Sequence, residues 1–277
     1  MSQAKLDPTV VAGFGDEWQR ADQSGLDRAE RQAAFESYFA IFPWAALPAG
    51  AVGFDLGCGS GRWAALVAPR VGAPHCIDAS PAALEVARRM LADQAGCVFH
   101  HASVDALPLG DASADFGYSL GVLHHIPDTQ AGSAACAAKL KPGAPFLVYL
   151  YYAFDNRPRW FRALWRASNL ARLGISRLPH GLRYAMSQVL AALAYWPLAR
   201  LAALGERAGL NVGNWPLSAY RRRSWYVMRN DALDRFGTRL ERRFTRAQIA
   251  AMLDAAGLRD ITFSPHVPYW CALGYKA

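Results

Sequence analysis

The chain has 277 residues, 53% of them hydrophobic and 19% charged, enough for one large domain or a domain with a sizeable insertion. Its net charge of +8 is uneven: residues 154–246 hold eighteen arginines, no lysine and five acids, a net +13, and the remainder carries −5. Such asymmetry points to an anionic partner and separates one stretch of chain from the rest, while excluding nothing about fold.

The N-terminal sequence MSQAKLDPTV lacks the basic-then-apolar layout of a secretory leader. Residues 9 to 47 read mostly as helix, with Phe35, Tyr38, Phe39 and Phe42 at helical spacing and Pro43 and Pro48 ending the segment. Residues 1–48 are thus expected to form an N-terminal helical segment. Val52 to Leu56 is a short apolar run, the first buried strand, and it ends in the glycines of GCGSG. A helix opens at Arg62 and Trp63. HCID at 75–78 is the tip of a second strand. Ser80 before Pro81 has the form of a helix N-cap with proline at the first helical position. CVFHHASV, ADFGYSLGV and PFLVYLYY read as the third, fourth and fifth strands, with the helix SAACAAKLKPG between the last two. This alternation predicts βαβ units and a parallel sheet.

From Asn156 to about Gly213 the alternation stops, and the sequence becomes helical and rich in arginine and aromatics. The apolar run VLAALAYWPLARLAALG, from Val189, is interrupted by Pro197 and Arg200. It therefore falls short of the ~18 uninterrupted apolar residues of a membrane span. Thr245 with Gln248 three positions later has capping-box spacing, a helix and strand follow, and YWCALGYK supplies a last strand. One α/β domain over 49–153 and 244–277, interrupted by a basic helical insertion over 154–243, accounts for the pattern. The five cysteines (Cys58, Cys76, Cys97, Cys136, Cys271) show no metal-ligand spacing. Free thiols, a cytoplasmic setting and no bound metal are expected.

Ligands of open parallel sheets bind at the carboxyl ends of the strands, which is where the glycines fall. Their G-x-G-x-G spacing differs from the G-x-G-x-x-G of dinucleotide enzymes. Asp78 follows 17 residues after Gly61, at the tip of the next strand, where a carboxylate can accept hydrogen bonds from two ribose hydroxyls.

Taken together, FDLGCGSGRW, CIDAS, ASVDALPLGDASADF, SLGVLHHIPD and KLKPGAPFLVYLYY resemble the class I S-adenosylmethionine-dependent methyltransferases, close to the UbiE-like and type 11 groups. The resemblance covers residues 50 to 152 and returns over 245 to 276. It implies a Rossmann-like α/β fold whose seven-stranded, mostly parallel sheet runs 3-2-1-4-5-7-6, with the last strand antiparallel. It implies S-adenosylmethionine as cofactor and methyl transfer as the reaction. Asp55, Gly57, Cys58, Gly59 and Gly61 are expected to line the methionine part of the cofactor, and Asp78 with Ala79 the ribose. Ser103, Val104 and Asp105 belong to the adenine loop. Ser103 stands where many relatives have aspartate, so the side chain serving adenine is open and the amide of Val104 is the safer contact. Leu120 is expected to offer its carbonyl to the cofactor's ammonium.

His124 and His125 are candidate bases, with the alternative that one only braces its loop through Asp128. Tyr149 and Tyr151 should share one face of the fifth strand, leaving Tyr152 best placed for substrate as a third candidate catalytic residue. Phe14 and Trp18 could cap the cofactor or pack in the core. Cys58, with no base nearby, reads as a small packed residue. Insertions after the fifth strand in this family commonly cover the site and choose the acceptor. Three partners are compatible with the arginine-rich block. They are a small anionic, phenolic or sugar-type metabolite; a lipid or quinone reached at an anionic membrane surface; and RNA, met by a modifying enzyme or a non-catalytic binding protein, for which no appended nucleic-acid module is present.

Overall fold

The computed structural model describes residues 27–238 and 240–277. The chain divides into two compact units, one of residues 1–153 with 240–277 and one of 154–239. The second boundary falls four residues before the position expected from sequence. Leu240 and Arg242 explain the difference, since both bond back to the first unit: the Leu240 carbonyl meets His125 Nδ1 at 2.7 Å, and the Arg242 amide donates to the His124 carbonyl. Phe14 and Trp18 lie outside the described residues.

In the first unit the sheet comprises β1 (Val52–Leu56), β2 (Ala73–Asp78), β3 (Val98–His101), β4 (Phe116–Leu120), β5 (Pro145–Tyr149), β6 (Leu258–Phe263) and β7 (Cys271–Lys276). Its order is β3-β2-β1-β4-β5-β7-β6, and β7 runs antiparallel to both neighbours. The central strands are covered on both faces, which is why they read as continuous apolar runs. At the centre, Gly53 pairs with Phe116 and Phe54 with Gly117. A β-carbon on either glycine would stand 2.3 Å from the opposing ring, so each glycine makes room for the phenylalanine beside it.

On one face Phe54, Phe146, Val148 and Leu150 pack against α4 (Thr129–Lys139) and α9 (Arg246–Ala255). On the other, Phe116, Tyr118 and Leu147 meet Phe35, Phe39 and Phe42 from α1 (Arg28–Tyr38) and the turn after it. The glycines of GCGSG lead into the short α2 (Ala64–Val67), and β2 leads into α3 (Pro81–Met90). Ser80 and Asp128 cap α3 and α4 by accepting from amides three residues on, and Thr245 and Gln248 form the expected reciprocal capping box on α9.

The second unit contains α5 (Arg159–Ile175), α6 (His180–Leu190), α7 (Trp196–Arg207) and α8 (Trp225–Gly237). Ile175, Ala191, Tyr195, Ala199, Met228, Ala232 and Phe236 form its core. Arg172 is buried there, donating from its guanidinium to the Thr238 carbonyl at 2.8 Å and to Asn169 Oδ1 at 2.7 Å.

Pro197 does not break the helix as the sequence suggests. A wide π turn over 191–195 joins α6 to α7, and Pro197 sits in the first turn of α7. Proline displaces the carbonyl four residues before it, and the wide turn absorbs that displacement. The result is one helix of 28 residues, His180–Arg207, long and apolar enough by composition to cross a membrane.

Candidate active site

The GCGSG loop is built for close approach to backbone. Gly57, Gly59 and Gly61 have φ of +76°, +53° and +79°, the left-handed region in which a side chain is strained. The Gly57 and Cys58 amides both donate to the Ile77 carbonyl, at 2.7 and 3.1 Å, which ties the loop to the end of β2. Asp78 completes the attachment: one carboxylate oxygen accepts from the Gly59 amide at 2.9 Å and the other from the Ser80 amide at 2.8 Å. Burial lifts the Asp78 carboxyl above its ordinary range, and these amides act against the shift. Each oxygen retains acceptor capacity toward a diol.

Asp55, at the centre of β1, is fully buried, and burial pushes its carboxyl up to about 8. Tyr118 and Arg62 pull it down and the Asp78 charge pushes it up. Tyr118 lies near enough to act on the carboxyl, yet neither Asp55 Oδ2 nor the Tyr118 hydroxyl makes a hydrogen bond of full geometry with a described residue. The Ser60 hydroxyl inside the loop is likewise buried and unpaired.

Cys58 packs with Ala64, Cys76, Leu84 and Ala87. The Cys76 thiol lowers its pKa, but burial and the charges of Asp78 and Asp55 outweigh that effect and raise it. Cys58 is therefore held as a protonated thiol, suited to packing.

In the loop after β3, Ser103 Oγ donates to Asp105 Oδ1 at 3.0 Å, so these two side chains serve each other across the turn. Val104 between them turns into the core with Leu123 and Ile126. Ala79 offers its carbonyl to His101 Nε2 at 3.0 Å. Leu120 ends β4 in the core, and Gly121, at φ +82°, turns the chain toward the histidines.

His124 and His125 sit on a short 3₁₀ turn, with ring centroids 4.0 Å apart. His124 is fully buried, and neither ring nitrogen has a partner among the described residues. Its ring stacks on Tyr151 at 3.8 Å. Burial, with the charges of His125 and Arg243, holds its pKa well below the ordinary value, so the ring is neutral. His125 points its Nδ1 at the Leu240 carbonyl, 2.7 Å away. A carbonyl only accepts, so Nδ1 carries a hydrogen, and in the neutral ring the lone pair is on Nε2. The brace expected from Asp128 is supplied by Leu240 instead, because the Asp128 carboxylate is engaged with the Ala131 amide as the cap of α4.

Tyr149 and Tyr151 share a face as expected, with rings 5.9 Å apart. Tyr152 turns away, with its ring near Tyr269 and Trp270 on the opposite face. The structure thus places Tyr151 at the histidine pair, while Tyr152, expected nearest the substrate, lies against Tyr269 and Trp270. It also adds residues that the sequence did not single out. Arg243 lies over the Tyr151 ring at 4.9 Å, and its Nε pairs with the buried Glu241 at 2.7 Å. These residues arrive from the far side of the helical unit in sequence, and no local motif marks them.

An open sheet of this order, with a glycine cradle after β1 and an acid of spare acceptor capacity after β2, is a Rossmann-like fold of the methyltransferase kind. S-adenosylmethionine fits it on structural grounds: a cradle open to backbone, an acid with spare acceptors, and the buried unpaired polar atoms of Asp55 and Ser60 beside it.

Residues 54–143 match the methyltransferase domain family. The chain is 32% identical over 129 residues to a ubiquinone biosynthesis O-methyltransferase of Aromatoleum aromaticum, an alignment covering 46% of this chain and 53% of that protein. The chain thus spans about half the length of this curated relative. Two solved structures share the fold. One is the methyltransferase in complex with the Haloferax volcanii Trm112 activator, at 16% identity and TM-score 0.52, covering 95% of this chain and 96% of that one. The other is a SAM-dependent methyltransferase from Thermotoga maritima, at 14% identity and TM-score 0.50, covering 97% and 100%. Residues 54–143 thus carry a methyltransferase domain, and the sheet order is the one that the resemblance to the class I S-adenosylmethionine-dependent methyltransferases implied.

Proposed function

We propose that this chain methylates a hydroxyl oxygen of a small phenolic acceptor, with His125 Nε2 receiving the acceptor's proton. The observation that carries this reading is the bond from His125 Nδ1–H to the Leu240 carbonyl, which leaves the basic lone pair on Nε2. Phenols ionise near pH 10, so at neutral pH a positioned base is worth having. The 3₁₀ turn bearing His125 begins one residue after Val122, which rests against Gly57. The proton acceptor and the cofactor cradle therefore belong to one continuous piece of structure. The similarity to an O-methyltransferase of Aromatoleum aromaticum supports the same chemistry.

Bound S-adenosylmethionine supplies an electrophilic methyl group on a sulfonium. The chain's own residues then have three tasks. Gly57, Gly59 and Gly61 give the methionine part access to backbone, and Asp78 fixes the ribose. Val122 and Leu123 set the histidine turn against that cradle. His125 takes the hydroxyl proton at Nε2, held in orientation by Leu240 and flanked by the neutral His124 ring. Much of the rate in such a displacement comes from positioning, which fits a site assembled from strand ends and short turns.

The test is a methyl-transfer assay across catechols, simple phenols, amines and carboxylates, in wild type and His125→Gln. Transfer to a phenolic hydroxyl, with kcat lowered about a hundredfold or more in the variant, is expected. Transfer to amines alone, or a variant with undiminished kcat, would overturn the reading.

A further inference from the structure

The 28-residue helix His180–Arg207 of the second unit has two faces of different character. One is spent inside the unit, where Ser187, Ala191, Tyr195, Ala199 and Ala202 are buried against partners that include Met228 and Ala232 of α8. The other carries Leu182, Met186, Val189, Leu193, Leu201 and Leu204, all exposed, with Leu193 at 76%, Leu182 at 58% and Leu204 at 57%. The spacing of 182, 186, 189 and 193 is that of one helical face. Scattered exposed leucines are unremarkable, but a row running 23 residues, about 33 Å of helix, is a surface.

Three of the helix's own charges are engaged within the unit. Arg200 donates to the Arg223 carbonyl at 2.7 Å, and Arg183 to the Gly237 carbonyl at 3.3 Å. Glu206 is held by Arg221 and Arg222 at 2.9 and 3.0 Å. The unit of residues 154–239 as a whole has fifteen arginines, no lysine and four acids, a net +11. Among these arginines, Arg159, Arg166, Arg177, Arg207 and Arg222 are exposed. Trp160 stands 52% exposed beside Arg159, an amphipathic ring of the type found at bilayer interfaces.

We propose that the helical unit docks flat on an anionic lipid bilayer, seating the Leu182–Leu204 row among the acyl chains while its arginines meet the lipid phosphates. An apolar row combined with an excess of arginine fits an anionic bilayer, since both parts then find their counterpart in one surface. A flat pose follows from the inner face, whose side chains already hold the core of the unit. A helix crossing the bilayer would have to give up those contacts. This inference stands on the second unit alone and does not depend on which acceptor is methylated.

The test is co-sedimentation of the whole protein with vesicles of phosphatidylcholine alone and of phosphatidylcholine with phosphatidylglycerol. Binding to the anionic vesicles, weakening as salt is raised, is expected. Leu193→Ser and Leu201→Ser should each reduce it about tenfold. Arg159→Gln with Arg166→Gln should weaken it while leaving S-adenosylmethionine affinity and the melting temperature unchanged. Failure to bind anionic vesicles would overturn the proposal. So would equal binding to both vesicle types, or a wild-type dimer that the leucine variants convert to monomer, which would assign the row to self-association. RNA binding lost in the arginine variants without vesicle binding would assign the basic surface to nucleic acid and overturn it as well.

Discussion

Val122 fills the space that a β-carbon on Gly57 would occupy, with its Cγ2 only 2.3 Å from that position. Gly57 also has φ +76°, so two separate constraints exclude any side chain there. Gly57→Ala should therefore destabilise the protein by about 2 kcal/mol or more and sharply weaken cofactor binding. Adding Val122→Ala should recover part of the loss, because it removes the clash and leaves only the backbone strain. Calorimetric titration with S-adenosylmethionine and thermal melts of the two single variants and the double variant measure both effects.

Asp78 joins the glycine loop to the end of β2 through the amides of Gly59 and Ser80. Asp78→Asn keeps the shape but removes the charge and one acceptor. Cofactor affinity should fall by tenfold to a hundredfold, on the order of 1.5–3 kcal/mol for a hydrogen bond to a charged group. A titration curve superimposable on wild type would remove Asp78 from the ribose site.

Asp55 gives the cofactor-free protein a stability that depends on pH. Its carboxyl ionises near 3.8 when unfolded and about 8 when folded, so between those values the folded state binds the extra proton. Stability is then fully present below pH 3.8 and is lost as pH rises through 8. Asp55→Asn should flatten that decline. The measurement is the urea midpoint across pH 5 to 9, compared between the two proteins.

His124 produces the opposite slope. Its folded pKa lies well below 6.5, so the unfolded chain takes up a proton first as pH falls. Stability from the neutral buried ring is complete above pH 6.5 and is lost on acidification below it. His124→Phe keeps a flat ring against Tyr151 and should reduce the acid-side loss. Melting temperatures between pH 4.5 and 7 in the two proteins test this.

Sequence is most legible where structure is local. The β1 glycines, Asp78 and the Ser80 and Thr245 caps all lie within a few residues of what they act on, or one strand away. The strand order follows from the motif set that carries the family resemblance. The histidine site was only half legible, because its second wall is non-local. Leu240 lies 115 residues from the His125 it orients, and Arg243 and Glu241 return with it. Alternation correctly paired Tyr149 with Tyr151. What it could not show was that His124 would stack on Tyr151, leaving Tyr152 to Tyr269 and Trp270. Ser103 and Asp105 were candidates for adenine on position alone, and their bond to each other becomes visible only in three dimensions.

The π turn before Pro197 also acts as a phase corrector. A wide turn holds one residue more than an α turn, so the half of the helix beyond it is rotated relative to the half before. That offset keeps Leu201 and Leu204 in line with Leu182, Met186 and Leu193 across a proline that would otherwise have separated them. Were the turn regularised to α geometry with all its residues kept, everything downstream would swing by about 100°. Leu201 and Leu204 would then leave the line of Leu182, Met186 and Leu193, without any change in composition.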